Sequence, residues 1–295
     1  MKKEKKNVKV RKLLTIFACA ITLFVMITSG IVKESVFTQD LLINQIKKIK
    51  YSELVLNETN QSFREENIEK NEFVEVIATS ISPVYVDQAL QAFIHYTYDD
   101  RESDDLHTIS DLDEEITHAI DSYAKKHQVT INKEEENKIE KMKFDYIYLL
   151  QKNVGDRYLT IFIENSLSAK SIVYVVFYLT FAVLLFLLLY LFILIRKITD
   201  FLLWYVPLIS GISGSMFLFL TGLLYANNFL KNIAFQSQAI LQLMTNYSQE
   251  ILSRFLFIGV ALVIGGMVVF LIGKPIRRKV HKRAANRKKI LETPN

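Results

Sequence analysis

A single cysteine, Cys19, among 295 residues leaves no intrachain disulfide and no pair for a zinc ribbon or a thioredoxin-like motif. Proline and glycine are scarce too, at four and nine residues. Residues 33–171 hold one of each, Pro83 and Gly155. A β-sandwich of that length needs many turn residues, so a helical segment is expected. The five histidines (His95, His107, His118, His127 and His281) show no H-E-x-x-H or other ligand spacing. No catalytic, cofactor-binding or metal residue is assigned. There is no internal repeat and no low-complexity linker.

What is present is apolar sequence in four blocks: 13–32, 172–195, 201–224 and 255–272. The second block is 24 residues without a charge, a glycine or a proline. A bilayer core takes about 20 apolar residues of helix, so four transmembrane helices are expected. Blocks two and three are joined by residues 196–200 alone, too short a link to recross a bilayer. They must run antiparallel. No Lys or His lies inside a block, and Arg196, Asp200 and Arg254 fall at edges. A coupled transporter usually keeps an ionisable group at membrane depth, so autonomous transport is disfavoured.

Charge is divided sharply along the chain. Residues 1–12 carry seven Lys/Arg, the link 196–200 two, and the tail nine, so half of the 36 basic residues lie on one side of a four-span chain. The positive-inside rule places that side in the cytoplasm. Residues 33–171 hold 16 basic and 27 acidic residues and fall outside. The expected order is a basic cytoplasmic leader (1–12), span 1 (13–32), a helical extracytoplasmic domain (33–171) and span 2 (172–195). Then come a short cytoplasmic link (196–200), span 3 (201–224), an outer amphipathic helical loop (225–254), span 4 (255–272) and a basic cytoplasmic tail (273–295). The fold class is thus an all-α integral membrane protein. Its four transmembrane helices carry a helical extracytoplasmic domain between the first two.

Local patterns refine this. Span 1 exceeds the roughly 7–15-residue apolar core of a signal peptide. Ile16-Phe17-Ala18-Cys19 is weighed against a lipoprotein cleavage site; Phe17 is bulky and the apolar run continues past Cys19, so a small residue inside a helix is expected. In span 3, Gly211, Ser215 and Gly222 share a stripe with Leu218, and Gly214 lies beside it. Small residues let helix backbones approach in lipid, and Gly259, Ala261, Gly265 and Gly266 are natural partners. Span 3 therefore reads as the packing centre and span 2 as lipid-facing. Pro207 removes a backbone donor and is expected to kink span 3.

In the outer domain, Phe37, Leu41, Leu42 and Ile46 recur at helical spacing. A helix is expected over 65–79. Ser82-Pro83 starts another, with Val86, Leu90, Phe93 and Ile94 on one face. Asp111 with Glu114 has capping-box spacing and opens a helix bearing Ile116, Ile120 and Tyr123. Asn132, followed by three glutamates, starts a helix carrying Ile139, Met142, Tyr146 and Leu149, which Gly155 ends. Residues 158–163 are expected as a short extended piece. In the outer loop, Phe229, Ile233, Ile240, Met244, Tyr247 and Ile251 form a helical stripe, either facing the outer domain or lying in the headgroups.

Chemistry is thin. The acidic stretch 99–115 lacks the glycine of a calcium loop and reads as solvated. Asn57, Asn60 and Asn246 head glycosylation sequons. Gly211-Ile212-Ser213-Gly214 resembles the G-x-S-G sequence around the nucleophile of rhomboid proteases, which implies an intramembrane serine nucleophile. Such a serine needs a base within reach, and the spans supply neither His nor Lys. One span, a large outer domain and three further spans resemble the layout of ABC permeases of the macrolide-exporter and cell-division type, which implies an ATPase partner. The coupling segment such permeases place between spans two and three is here five residues.

The function expected is that of a multi-pass plasma-membrane protein with both termini cytoplasmic. Its outer domain binds an envelope or surface protein as a sensor, scaffold or accessory subunit, without catalysis. The alternatives are a membrane subunit of a transport complex and, with least support, an intramembrane enzyme. The expected partners are the lipid bilayer, anionic lipids at the basic termini (~1 kcal/mol per Lys/Arg) and a protein at the outer domain. Nucleic acid is not expected, since no aromatic follows Gly273 to stack a base.

Overall fold

The computed structural model describes residues 2–67, 72–99, 108–155, 157–227 and 237–292, with side chains for 8–67, 72–98, 111–155, 157–227 and 237–276. Every regular element described is helical. In chain order they are α1 (Lys2–Val36), α2 (Gln39–Lys48), α3 (Tyr51–Glu66), α4 (Glu72–Ser80), α5 (Pro83–Asp99), α6 (Thr108–His127), α7 (Lys133–Val154) and α8 (Arg157–Ile195). A turn α9 (Ile198–Asp200) and a π-helical turn (Phe201–Tyr205) lead into α10 (Val206–Ala226), and α11 (Gln238–Glu292) follows. Four stretches are long and apolar enough to cross a membrane: Val8–Val36, Lys133–Ile195, Ile198–Ala226 and Gln238–Ile276.

The chain forms two compact units. The first comprises Met1–Ser35, Lys170–Phe229 and Gln249–Asn295, and the second Val36–Ala169 and Leu230–Ser248.

In the first unit α10 is the packing centre. Phe217 is fully buried, with its ring 4.5 Å from Phe24 of α1 and 5.8 Å from Phe255 of α11. Ile209 joins Ile16, Cys19 and Ala20 of α1 and Leu184 and Leu191 of α8. Cys19 and Ala20 have no exposed surface, which is the small-residue role expected of the lone cysteine. By contrast, only 6% of the most apolar window of span 2 is buried, against 33% for spans 1 and 3. Few residues of span 2 are thus fully buried.

The small-residue seam differs from the expected one. A Cβ on Gly211, Gly222 or Gly265 would meet nothing within 4 Å, so the missing side chains of these three glycines do not make the close contact. The contact runs instead along three pairs seven residues apart on α11. Gly259 lies against Gly214, Gly266 against the Pro207 carbonyl, and Gly273 against Leu203. Ser210 Oγ donates to Leu262 O at 2.9 Å between the first two pairs. α10 and α11 are therefore antiparallel and in near backbone contact, which only glycine permits. Pro207 sits in the first turn of α10 directly after the π turn. A proline cannot donate to the carbonyl four residues back, and the widened turn lies where that bond is missing.

In the second unit α3 is the hub, packed against α2, α4, α5 and α7. It buries Tyr51, Ser52, Val55, Leu56, Thr59, Asn60 and Phe63, a helical stripe. Three of those seven are polar, which masks the apolar period on which helix recognition rests. The expected helix over 65–79 is instead the end of α3 and the whole of α4. α2 buries Leu41, Leu42 and Ile46 as expected, and α5 buries Val86, Leu90 and Ile94 with Phe93 half-buried. α6 starts at Thr108, so Asp111 lies inside its first turn and not at the position before the helix. The capping box of this unit is at α7: Asn132 Oδ1 accepts from the Glu134 and Glu135 amides, and Glu135 accepts from the Asn132 amide. Residues 158–163 are helical, not extended. Leu159 and Ile163 are fully buried there, and helical spacing puts both in the core.

Candidate functional site

Polar side chains inside the second unit are built into specific bonds. Tyr146 Oη donates to Asn60 Oδ1 at 2.7 Å, both residues being buried. Asn153 Nδ2 donates to Thr59 Oγ1 at 2.8 Å, and Thr59 donates in turn to Val55 O. Asn60, the head of one of the three sequons, is thereby a core residue. These bonds tie α3 to α7. Satisfied buried polar groups of this kind specify one packing, because leaving either partner alone costs about 1–3 kcal/mol.

Lys143 is a buried cation. Its Nζ lies 2.9 Å from Asp113 Oδ1 and 3.0 Å from Glu140 Oε1, and donates to Thr117 Oγ1 at 3.0 Å. Burial alone would lower its pKa, but the bonds and charges of Asp113 and Glu140 prevail and hold it above the ordinary lysine value. Asp113, read from sequence as part of a solvated acidic stretch, is thus a helix-pairing residue between α6 and α7. Burial pushes the Tyr98 phenol up to about 12, and its Oη donates to Val36 O at 3.2 Å. Burial also raises Tyr146, against an opposing pull from the Arg64 guanidinium.

The start of α11 is held by α3. Glu58 Oε1 accepts the Ala239 amide at 2.8 Å, and its Oε2 accepts the Ser237 hydroxyl at 2.7 Å. Ser237 Oγ in turn accepts the Ile240 amide at 3.1 Å. A carboxylate there satisfies free amides and complements the helix dipole. Ile240, Leu243, Met244 and Tyr247 are buried in this unit, with the Tyr247 ring 5.3 Å from Phe162. The expected stripe is a core face; its first members, Phe229 and Ile233, lie outside the described residues.

The first unit has its own polar contacts. Arg254 Nη1 donates to Ser35 Oγ at 3.1 Å, joining α11 to the end of α1. Lys33 Nζ stands 4.8, 5.3 and 5.7 Å from the ring centres of Tyr174, Phe177 and Tyr178 on α8. Gly30 makes room for Phe177, which a Cβ would meet at 3.3 Å.

Ser213, the residue of the G-x-S-G motif, is fully buried and its Oγ makes no hydrogen bond. Its neighbour Gly214 serves the seam with α11. Residues 100–107 of the acidic stretch lie outside the described residues. Among those described, no three His, Cys, Asp or Glu side chains come together as a metal site.

No family model, no curated protein and no solved structure matches this chain.

Proposed function

We propose that this chain is a multi-pass plasma-membrane protein with both termini in the cytoplasm. Its second unit stands outside the cell and binds an envelope or surface protein. It acts as a sensor, scaffold or accessory subunit and performs no catalysis. The observation that carries the reading is the division of charge between the units. Basic residues flank the apolar spans at 1–12, 196–200 and 273–295, and the segment 33–171 has a net charge of −11. An unbonded Ser213 hydroxyl supports the non-catalytic reading, since a serine nucleophile requires an adjacent base.

The test uses a Cys19→Ala background and a membrane-impermeant maleimide on intact cells. Glu53→Cys, on the exposed face of α3, is expected to label in intact cells. Arg287→Cys in the tail is expected to label only after lysis. The opposite pattern would invert the protein and end the outward-facing reading.

One observation favours the second reading, a membrane subunit of a transport complex such as an ABC-type exporter. Few residues of span 2 are fully buried, and another subunit's helices would find a face there. Stoichiometric co-purification of an ATPase from native membranes would decide for it.

A further inference from the structure

The second unit is acidic, yet one face of α7 is not. Lys141, Phe144, Tyr148 and Lys152 follow one another along a single outward stripe. The two rings are among the most exposed large side chains of the unit, Phe144 at 70% and Tyr148 at 61%. They stand one helical turn apart, where side chains are neighbours. Both lysines are exposed, and neither forms an ion pair with a described residue. Asp145, on the flank of the stripe, pairs with neither. The four residues span about 16 Å of helix axis, the length of roughly three turns of a facing helix.

We propose that this stripe docks an acidic amphipathic helix of a partner protein. Its apolar residues would meet Phe144 and Tyr148, and its carboxylates would meet Lys141 and Lys152. The proposal rests on the reading of the second unit as the partner-binding module. Exposed aromatics bounded by charge are the usual anchors of an interface, and a helix laid along a helix reuses the spacing of its own anchors. The flanking charges select the occupant. A symmetric antiparallel pairing with a second copy would bring Lys141 of one copy beside Lys152 of the other, and like charges in apposition are costly. A lipid surface needs a broad apolar face. Here Ile139, Met142, Tyr146 and Leu150 are turned into the core, and two rings remain.

The experiment uses the full chain in phosphatidylcholine nanodiscs and two synthetic helical peptides. Both carry a Leu pair four residues apart. One has Glu three residues before and four after the pair; the other has Lys at both places. The Glu peptide is expected to bind at least about tenfold more tightly, a difference of ~1.4 kcal/mol, and the preference should shrink with added salt. Lys141→Glu with Lys152→Glu should reverse it. Phe144→Ala with Tyr148→Ala should abolish binding of both peptides while leaving the thermal melt unchanged. Equal binding of the two peptides, binding of neither, or a preference that survives the double charge reversal would each overturn the proposal. So would polygalacturonate competing as well as the Glu peptide, or self-association that the aromatic variant removes. Maleimide labelling of Glu53→Cys in intact cells reads the topology separately, so failure at this stripe and failure of the outward-facing reading give different results.

Discussion

Gly214, Gly259, Gly266 and Gly273 serve helix proximity in this chain. No glycine has a positive φ, whereas Lys50, Gln128 and Arg196 sit at φ 54°, 55° and 58°. Gln128 occupies the position after α6 where glycine is the common choice, with the Val129 amide bonded back to Ala124 O at 3.0 Å. A left-handed residue with a Cβ costs roughly 1–2 kcal/mol, offset in part by the greater freedom a glycine has when unfolded. Gln128→Gly is therefore expected to stabilise the protein by about 0.5–1 kcal/mol, read as a rise in melting temperature of nanodisc-held chain. The membrane glycines behave oppositely. A Cβ at Gly214 would stand 2.8 Å from the Gly259 carbonyl oxygen, where backbone cannot yield. Gly214→Ala is expected to lose ~1–3 kcal/mol through overpacking, and Gly211→Ala, which meets nothing, to lose almost none. Denaturant titration in mixed micelles separates the two. Similar losses at both positions would mean that the seam is elsewhere.

At the scale of elements, α11 is held in the second unit through Glu58, and the bonds are charge-assisted. Glu58→Ala leaves the Ala239 amide and the Ser237 hydroxyl without that partner, a loss of about 1–2 kcal/mol by analogy with helix caps. Hydrogen exchange should report it as faster exchange at residues 239–243, with α5 and α6 unaffected; unchanged protection would show that the contact contributes nothing. α5 and α7 together carry the response to alkali. Lys143 is held above its ordinary pKa, so its stabilisation is complete below about pH 10.5 and fades as pH rises past that. Tyr98 and Tyr146 are raised by burial, so their neutral forms favour the folded state below about pH 10, and that advantage is lost as the unfolded phenols ionise. All three act in one direction. Stability should fall between about pH 10 and 12, and Tyr98→Phe should flatten the slope. An unchanged slope in that variant would show that Tyr98 is not titrating with unfolding.

For the molecule as a whole, the division into a lipid-facing unit and a helical unit follows from where apolar and acidic sequence lie. In the proposed topology three basic segments lie on one side of the spans, so orientation does not hang on any one of them. Arg196→Gln with Lys197→Gln should leave the maleimide pattern of Glu53→Cys and Arg287→Cys unchanged, because the leader and the tail still set the bias. Inversion by that pair alone would show that the central hairpin, and not the ends, directs insertion.

The number of long apolar helices, the helical class, and the sparsely buried span 2 beside the packed span 3 could all be read from the sequence. Length of apolar run and scarcity of turn residues are properties of a segment by itself. Asn132 and Ser82 likewise marked helix starts, since a cap is bonded within three residues of itself. The hub helix α3 could not be read, because Ser52, Thr59 and Asn60 are buried by partners such as Asn153 and Tyr146, some 90 residues away along the chain. Neither could the choice of Gly214 over Gly211 for the seam: both are small, and only the position of α11 decides which is touched. Nor could the role of Glu58, a surface residue by composition until the start of α11 is folded against it. What a residue does through its near neighbours is written in the chain, and what it does across a packed interface exists only once the helices have met.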